Sequence, residues 1–477
     1  MSKTHRYLEI SAHLSQQIQL GHLTPGSKAP SLRDIARQYQ VSLGTAMQTY
    51  EHLEKLGVLR SEPKRGFFVT RLSTPRLPTK TRQTVAAPQT VKLRSLAQDL
   101  LSTADVNTTY SFGTALLHPA WQPVAGLEKT IRAVMKSAEG MLGQYIPSPG
   151  YSPLRQAIAM QAFEWGGNIH ADEVLITAGA TDALQLCLKA VVPPGGVVAT
   201  ESPAYFGLLQ ILENMGLKAL EIPADPMRGM DLGALEMALA THQIAAIVVT
   251  PNHNNPFGSS MSDADKVRLL RIASQHLTPV IEDDVYGDLH YGPARPKPLR
   301  YFDEADQTLY CSSFSKTTAP GYRVGWCLPG QYQARVQQLQ IENSIAVSSL
   351  PQVVLARFLA NGEFARHLDI TRARLASQCT PLIDYMTRVF PAGTRISQPV
   401  GGYTFWIELP GLISAMDVYH AARRIGILVT PGDVFSSSDR FRHCLRLSCG
   451  QVFGPEMKAA LAQLGEITHQ LQYAGGS

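Results

Sequence analysis

The sequence predicts an α/β fold with a largely parallel sheet, preceded by a small, mostly helical module that ends in a β-hairpin. Three observations carry that expectation. Beyond about residue 105, short apolar runs that end in polar turns alternate with helix-period segments, the pattern of parallel strands joined by crossover helices. Before residue 70, three helix-period segments precede two apolar runs around a charged turn. Between the two regions stands RLSTPRLPTKTRQTVAAPQTVKLR, residues 71–94, with three prolines, six basic residues and no acid. Such a stretch reads as a solvated linker in which no core is possible. A length of 477 residues suits two or three domains, and the expected boundaries are 1–70, 71–104 and 105–477.

In the first region Tyr7, Leu8, Ile10, Leu14, Ile18 and Leu20 mostly follow helical spacing, so a helix is expected over 5–21 with Gly21 ending it. Pro30 and Ser31 open a second helix, with Ser31 and Asp34 spaced as a capping box before Ile35 and Ala36. After QYQV, Ser42 caps a third helix that runs to Leu56, where Gly57 supplies the stop. VLRSEPKRGFFV then reads as two strands around a charged turn. Three helices and a hairpin make a winged helix-turn-helix.

In the large region, strands are expected in EVLITAG, GVVATESP, IAAIVVTPN, TPVIEDD and TLYCSSFSK. From about Leu350 the texture changes to helices with a few strands, GGYTFWIELP and HCLRLSCG among them, which predicts a smaller α+β lobe closing the domain.

Charge separates the two regions. Residues 1–94 carry 15 Lys and Arg against five Asp and Glu, a net of +10, which leaves −5 on the remainder. A basic module for a polyanion is thus joined to a mildly acidic globular domain. No apolar stretch approaches the roughly 18 residues of a membrane span, and MSKTHRYLEI lacks the apolar run of a signal peptide. A soluble, cytoplasmic protein with no membrane partner is expected. The six cysteines contain no CxxC pair, which argues against a disulfide framework or a zinc site and leaves them as reduced packing residues.

A helix-turn-helix enters the major groove by the N-terminal end of its third helix, so Ser42, Leu43, Gly44 and Thr45 are the expected contacts to base edges or phosphates. Arg33 would anchor on a backbone phosphate, and Lys64, Arg65 and Gly66 form a wing tip able to approach the minor groove. A helical oligomerisation module is the alternative, but it leaves the hairpin and the +10 balance unexplained. Over residues 5–70 the motifs LTPGSKAPSLRDIA, VSLGTAMQTYEHLEKLGVL and KRGFFV resemble the GntR family of bacterial transcription regulators. That family usually has arginine after the Val-Ser, where this chain has Leu43. Leucine cannot make a bidentate guanine contact, so a different operator preference is expected. Gly44 lowers helix propensity but lets the backbone lie close to DNA.

In the large region Lys316 stands in CSSFSKTTAPGYRVGW. Alone, SFSK is a weak signal. Asn255 follows the strand IAAIVVT, however, and Asp283 and Tyr286 follow TPVI, so three polar clusters sit at the C-terminal ends of three buried strands, where open α/β sheets bind ligands. Their chemistry is consistent with pyridoxal 5′-phosphate, which needs a lysine amine for its Schiff base and a carboxylate to keep its pyridine nitrogen protonated. Lys316 and Asp283 fit those roles. Asn255 and Tyr286 can donate hydrogen bonds to the phenolate oxygen. Arg323, Ser313 and Ser315 can hold the phosphate, helped by the backbone N–H groups of Ala180 and Thr181 at a helix start. Tyr205 is an aromatic candidate to stack on the ring. Asp283 and Asp284 could instead be a metal pair, but no third ligand with suitable spacing accompanies them, so no metal is expected.

The order of ITAGATDAL, ESPAYFG, TPNHNNPFG, IEDDVYGDL, SFSKTTAPGYRVGW and GGYTFWIELP resembles the fold-type I pyridoxal-phosphate enzymes, the aspartate aminotransferase superfamily, over roughly residues 105–470. The resemblance implies that Arg446, in HCLRLSCG, clamps a substrate or effector carboxylate. It also implies that Tyr145 reaches the phosphate of a neighbouring subunit, and hence a homodimer. A GntR-like head on an aminotransferase-like domain resembles the MocR subgroup of regulators. The expectation is a pyridoxal-phosphate-binding transcription regulator in which an amine, an amino acid or the cofactor itself modulates binding to operator DNA. The alternatives are a working aminotransferase whose head tethers or autoregulates it, and a cofactor-free dimerisation scaffold, which the intact Lys316, Asp283 and Arg323 disfavour.

Overall fold

The structure, a computed structural model, describes residues 6–19, 23, 26–55, 58–62, 65–69, 87–91, 109–137, 143–411 and 413–474. These residues fall into two compact units.

The N-terminal unit contains helices α1 (Arg6–Gln19), α2 (Leu32–Gln38) and α3 (Leu43–Lys55), then the antiparallel strands β1 (Leu59–Glu62) and β2 (Gly66–Val69). The expected capping box forms at the start of α2: Asp34 N donates to Ser31 Oγ at 3.2 Å, and Ser31 N donates to the Asp34 carboxylate at 3.2 Å. Two donors that a helix start leaves unpaired are thereby satisfied. Ser42 caps α3 by accepting from Thr45 N at 3.1 Å. Ile10, Leu14, Ile35, Ala46, Tyr50, Leu53, Leu59 and Val69 close one core between the helices and the hairpin. Tyr50 donates its buried hydroxyl to the Pro30 carbonyl at 2.7 Å, so the polar atom that its side chain carries inward is bonded. The expected stop at Leu56 and Gly57 lies outside the described residues.

The large unit is built on one sheet. Its strands are β3 (Gln89–Thr90), β5 (Leu175–Thr177), β6 (Val197–Ser202), β7 (Lys218–Asp225), β9 (Ala246–Val249), β10 (Val280–Asp283), β11 (Thr308–Ser313) and β12 (Gly325–Leu328), with β8 (Gly229–Met230) beside β7 off the main path; β4 (Tyr110–Ser111) is not part of this sheet. The order is β3-β7-β6-β9-β10-β11-β12-β5. From β7 to β11 neighbouring strands are parallel. Covered on both faces, they carry apolar runs such as AIVV in β9 rather than a polar alternation. Strand β12 is antiparallel to both β11 and β5. It follows β11 through a loop with no crossover helix, so the chain can only return alongside in the opposite sense. The smaller lobe holds β13 (Arg395–Ile396), β14 (Thr404–Glu408), β16 (Thr430–Pro431) and β17 (Cys444–Ser448), while β15 (Ile427–Leu428) pairs with β4.

The linker expectation fails at one point. Gln89 and Thr90 pair antiparallel with Ala219 and Lys218 on the edge of β7, and Val91 is 1% exposed within the core formed with Leu217, Ala219 and Leu212. An edge strand offers unpaired N–H and C=O groups to any extended segment, whatever its composition. All six cysteines are buried and none is joined in a disulfide, and Cys187 lies 3.6 Å from Cys311, sulfur to sulfur. Among the described residues no helix is long and apolar enough to cross a membrane.

Candidate cofactor site and nucleic-acid interface

The turns that follow β9, β10 and β11 bring Asn255, Asp283, Tyr286 and Lys316 to one end of the sheet. Asn255, Asp283 and Tyr286 are buried, and Lys316 is half-buried. The Lys316 ammonium donates to the Ala115 carbonyl at 2.9 Å and lies 5.8 Å from the centre of the Tyr286 ring. Tyr403 packs edge-on to Tyr286 at 5.5 Å and donates to the same carbonyl at 3.2 Å. Three buried polar atoms here have no partner: Asn255 Oδ1, Asp283 Oδ1 and the Tyr286 hydroxyl. Leaving such groups unbonded costs stability, and their concentration in one place fits a ligand with polar atoms around its rim. A substituted pyridine that bears a ring nitrogen and a phenolic oxygen is such a ligand.

The electrostatics agree with that fit. Burial, reinforced by the neighbouring Asp284, pushes the Asp283 carboxyl up to about 7, against the pull of Lys316. Burial, with Arg446 nearby, brings the Lys316 amine down to about 8. A lysine so placed keeps a substantial neutral fraction near neutral pH, which an amine needs in order to attack a carbonyl. Asp284 is spent elsewhere: it accepts from Arg295 at 2.7 Å, Tyr310 at 3.1 Å and Asn252 at 3.1 Å. Consecutive residues of an extended segment point to opposite faces, so the two aspartates do not converge as a metal pair.

An anion seat adjoins the lysine. Arg323 occupies the left-handed region at φ 52° and donates to Ser315 Oγ at 3.2 Å and to the Ala178 carbonyl at 3.4 Å. Ser315 N donates to Ser313 Oγ at 3.3 Å. The helix Ala180–Val191 begins beside them with Gly179 just ahead at φ 95°. A Cβ on Gly179 would lie 2.5 Å from the Arg323 guanidinium, and one on Gly325 would lie 2.5 Å from the Gly179 carbonyl carbon. Both glycines are therefore needed for the two loops to close on each other. Tyr205 opens the next helix, and burial raises its phenol, which also feels Asp283, Arg446 and Arg323.

Arg446, on β17 opposite Trp406, is 1% exposed. It donates to the Gly113 carbonyl and to Thr430 Oγ1, the latter at 2.7 Å, while its Nε and one terminal nitrogen have no partner. Burial lowers its pKa, so the charge is held at a cost that a bound carboxylate would offset. Tyr145 is 79% exposed, and its hydroxyl joins none of the hydrogen bonds around Lys316 within one chain. Sequence reasoning missed the Gly113 and Ala115 carbonyls, Thr430, Tyr403 and Glu201. Glu201, buried on β6 and raised to about 7 by that burial, accepts from Thr250 N at 2.9 Å and Asn254 Nδ2 at 3.3 Å, steadying the turn that carries Asn255.

In the N-terminal unit Arg33, Ser42, Leu43, Gly44, Arg65 and Gly66 are exposed and Thr45 is partly so. Ser42 and Thr45 are engaged with each other, 3.0 Å apart through their hydroxyls. Arg65 pairs with Glu62 at 2.6 Å and lies 5.2 Å from the Phe68 ring. Gly66 turns the wing at φ 103°. Lys64 lies outside the described residues.

Comparison with known proteins assigns both units. The family model for aminotransferase class I and II matches residues 118–463, and that for bacterial regulatory proteins of the gntR family matches residues 6–69. The chain is 33% identical over 473 residues to an uncharacterised HTH-type transcriptional regulator, YjiR, of Escherichia coli, a match that covers 98% of this chain and 99% of that one. It is 30% identical over 359 residues to a 2-aminoadipate transaminase of Thermus thermophilus, covering 74% of this chain and 88% of the enzyme. The crystal structure of LysN, an alpha-aminoadipate aminotransferase from the same species complexed with N-(5′-phosphopyridoxyl)-L-leucine, matches with a TM-score of 0.73 at 27% identity, covering 80% of this chain and 96% of that chain.

Proposed function

The chain belongs to the gntR family of bacterial regulatory proteins in its MocR form, a winged helix-turn-helix joined to an aminotransferase class I and II domain, and on that premise we propose how its residues divide the work. It is a pyridoxal-phosphate-dependent, DNA-binding transcription regulator. When bound, pyridoxal 5′-phosphate supplies a carbonyl that condenses with amines and a protonated ring that withdraws electrons.

Lys316 presents its amine to that carbonyl, and the low pKa that burial imposes keeps enough of it neutral to do so. Asp283 offers its unpaired Oδ1 to the proton on the ring nitrogen. Asn255 and Tyr286 would hold the phenolic oxygen by hydrogen bonds, and Tyr205 would pack against the ring. Arg323, the Ser313 and Ser315 hydroxyls and the N–H groups of Ala180 and Thr181 bind the phosphate. Arg446 uses its two unspent donors on the carboxylate of an amino-acid effector. In a homodimer, Tyr145 serves the phosphate of the partner subunit. The N-terminal unit binds operator DNA through the start of α3, Arg33 and the wing at Lys64, Arg65 and Gly66, in the cytoplasm.

The observation that carries this reading is the pairing of a neutral-prone Lys316 with the orphaned Asp283 Oδ1 at neighbouring strand ends, in a chain whose full-length relative is a transcriptional regulator. An effector shifts the protein only through unequal affinity for its states. The test is a screen of candidate amines against the cofactor-loaded protein, following cofactor absorbance, keto-acid release and operator binding together. A change in absorbance with altered operator binding and no turnover is the expected result. Rapid multiple turnover would replace regulation with aminotransferase activity, a second reading that the complete polar set around Lys316 favours.

A further inference from the structure

The exposed end of α3 carries two large apolar side chains on an otherwise polar face. Leu43 is 54% exposed and Met47 38%. Residues four apart lie one above the other on a helix, so the two form a short stripe. The adjoining side of the helix, with Ala46, Tyr50 and Leu53, is buried in the unit's core, and neither Leu43 nor Met47 joins that cluster. The fold gains nothing from holding them in water.

The surroundings of the stripe indicate what covers it. Gly44 leaves the helix surface bare beside Leu43: a Cβ there would meet nothing closer than Ser42 Oγ at 3.6 Å, so the fold itself has no need of glycine. A turn beyond Met47 the same surface becomes acidic, with Glu51 and Glu54 exposed. Those carboxylates would repel phosphates, which restricts close approach of a duplex to the first two turns. Arg33 and Arg65, exposed in the same unit, supply charge for the phosphate backbone.

We propose that Leu43 and Met47 read the 5-methyl groups of thymines in the major groove of the operator. Thymine is the only base that presents an apolar group there, and it suits apolar side chains as guanine suits arginine. Side chains at this spacing stand roughly 5–6 Å apart at Cβ, enough to reach two base pairs that are adjacent or one step removed. Met47 is thus a specificity-determining residue alongside Leu43. This inference rests on the reading that α3 enters the groove.

The test selects duplexes from a random library with the full-length protein, then replaces each thymine of the selected site singly with deoxyuridine. That exchange removes a methyl and leaves every hydrogen-bonding group in place. At two nearby positions the affinity is expected to fall about 3- to 10-fold, a modest share of what a direct base contact supplies. Leu43→Ala should erase the penalty at one position and Met47→Ala at the other, with the salt dependence of binding unchanged and the thermal transition of the unit retained. If the wild type tolerates every deoxyuridine within twofold, or if both penalties survive in the variants, the proposal is wrong. Selected sites with guanine at those positions would also overturn it, and failure to retain any duplex would overturn the DNA-binding assignment along with it.

Discussion

Asp283 is buried with a carboxylate oxygen that no contact of the fold uses. Its folded pKa, about 7, lies above the ordinary 3.8. Between those values the folded state binds more protons than the unfolded one, so stability falls as pH rises through the window, and above about 7 the whole cost applies. Asp283→Asn should therefore stabilise the cofactor-free protein on the order of 2–4 kcal/mol at pH 8, with the gain vanishing near pH 4. Thermal unfolding across that range checks it, and a gain independent of pH would refute the charge argument. Lys316 titrates the other way: its amine is neutral above about 8 rather than the ordinary 10.5. The rate of cofactor loading should climb with pH through about 8 and then level, as read by absorbance after rapid mixing, and Lys316→Ala should lose the absorbance band altogether. A rate that kept rising toward 10.5 would mean an amine unperturbed by burial. Asn255, Asp283, Tyr286 and Lys316 were legible in the sequence because each follows an apolar strand. The Gly113 and Ala115 carbonyls were not. They carry no side-chain signature, and they meet Arg446 and Lys316 from 333 and 201 residues away.

Among the elements, α3 and the wing allow a division between fold and recognition. Gly44→Ala should stabilise the N-terminal unit by at most about 0.5–1 kcal/mol, the helix-interior gain over glycine being an upper bound in the first turn, and should weaken operator binding by intruding on the groove. Unfolding and binding measured on the same variant separate the two, and unchanged binding would remove the close approach. Arg65→Ala should weaken DNA binding and shallow its salt dependence by about one phosphate contact. Because Glu62 competes for Arg65 and also for Arg60 at 2.7 Å, Glu62→Gln should act in the opposite direction. A salt slope untouched by either substitution would mean the wing tip does not meet phosphate. The capping box, the helix order and the hairpin were readable because caps and turns are local. Strand β3 was not: two residues cannot display an alternation, and Gln89–Thr90 is a strand only because the edge of β7 accepts it. Strand β12, likewise without a pattern of its own, takes its direction from the loop before it.

For the whole molecule, the first 94 residues carry +10 and the rest −5, so the opposite charge within the chain is half of what would neutralise the basic region. The proposed homodimer invites a complementation experiment. Lys316→Ala homodimers should bind no cofactor covalently, and Tyr145→Phe homodimers should hold it weakly. Mixed dimers should regain one tight site of two, since one chain's Lys316 then meets an intact tyrosine of its partner. Titration of cofactor into co-expressed, separately tagged chains measures this, and no recovery in the mixed dimer would confine Tyr145 to a surface role.

The reversal of β12 has one more consequence. Because the chain leaves β11 at Ser313 and re-enters the sheet at Gly325, a single connecting loop carries both the amine of Lys316 and the guanidinium of Arg323. A deletion or insertion between them changes the spacing of the amine from the guanidinium. Descendants of this protein should consequently either keep the cofactor with both residues or abandon it with both, leaving few intermediates that hold the phosphate without the aldehyde.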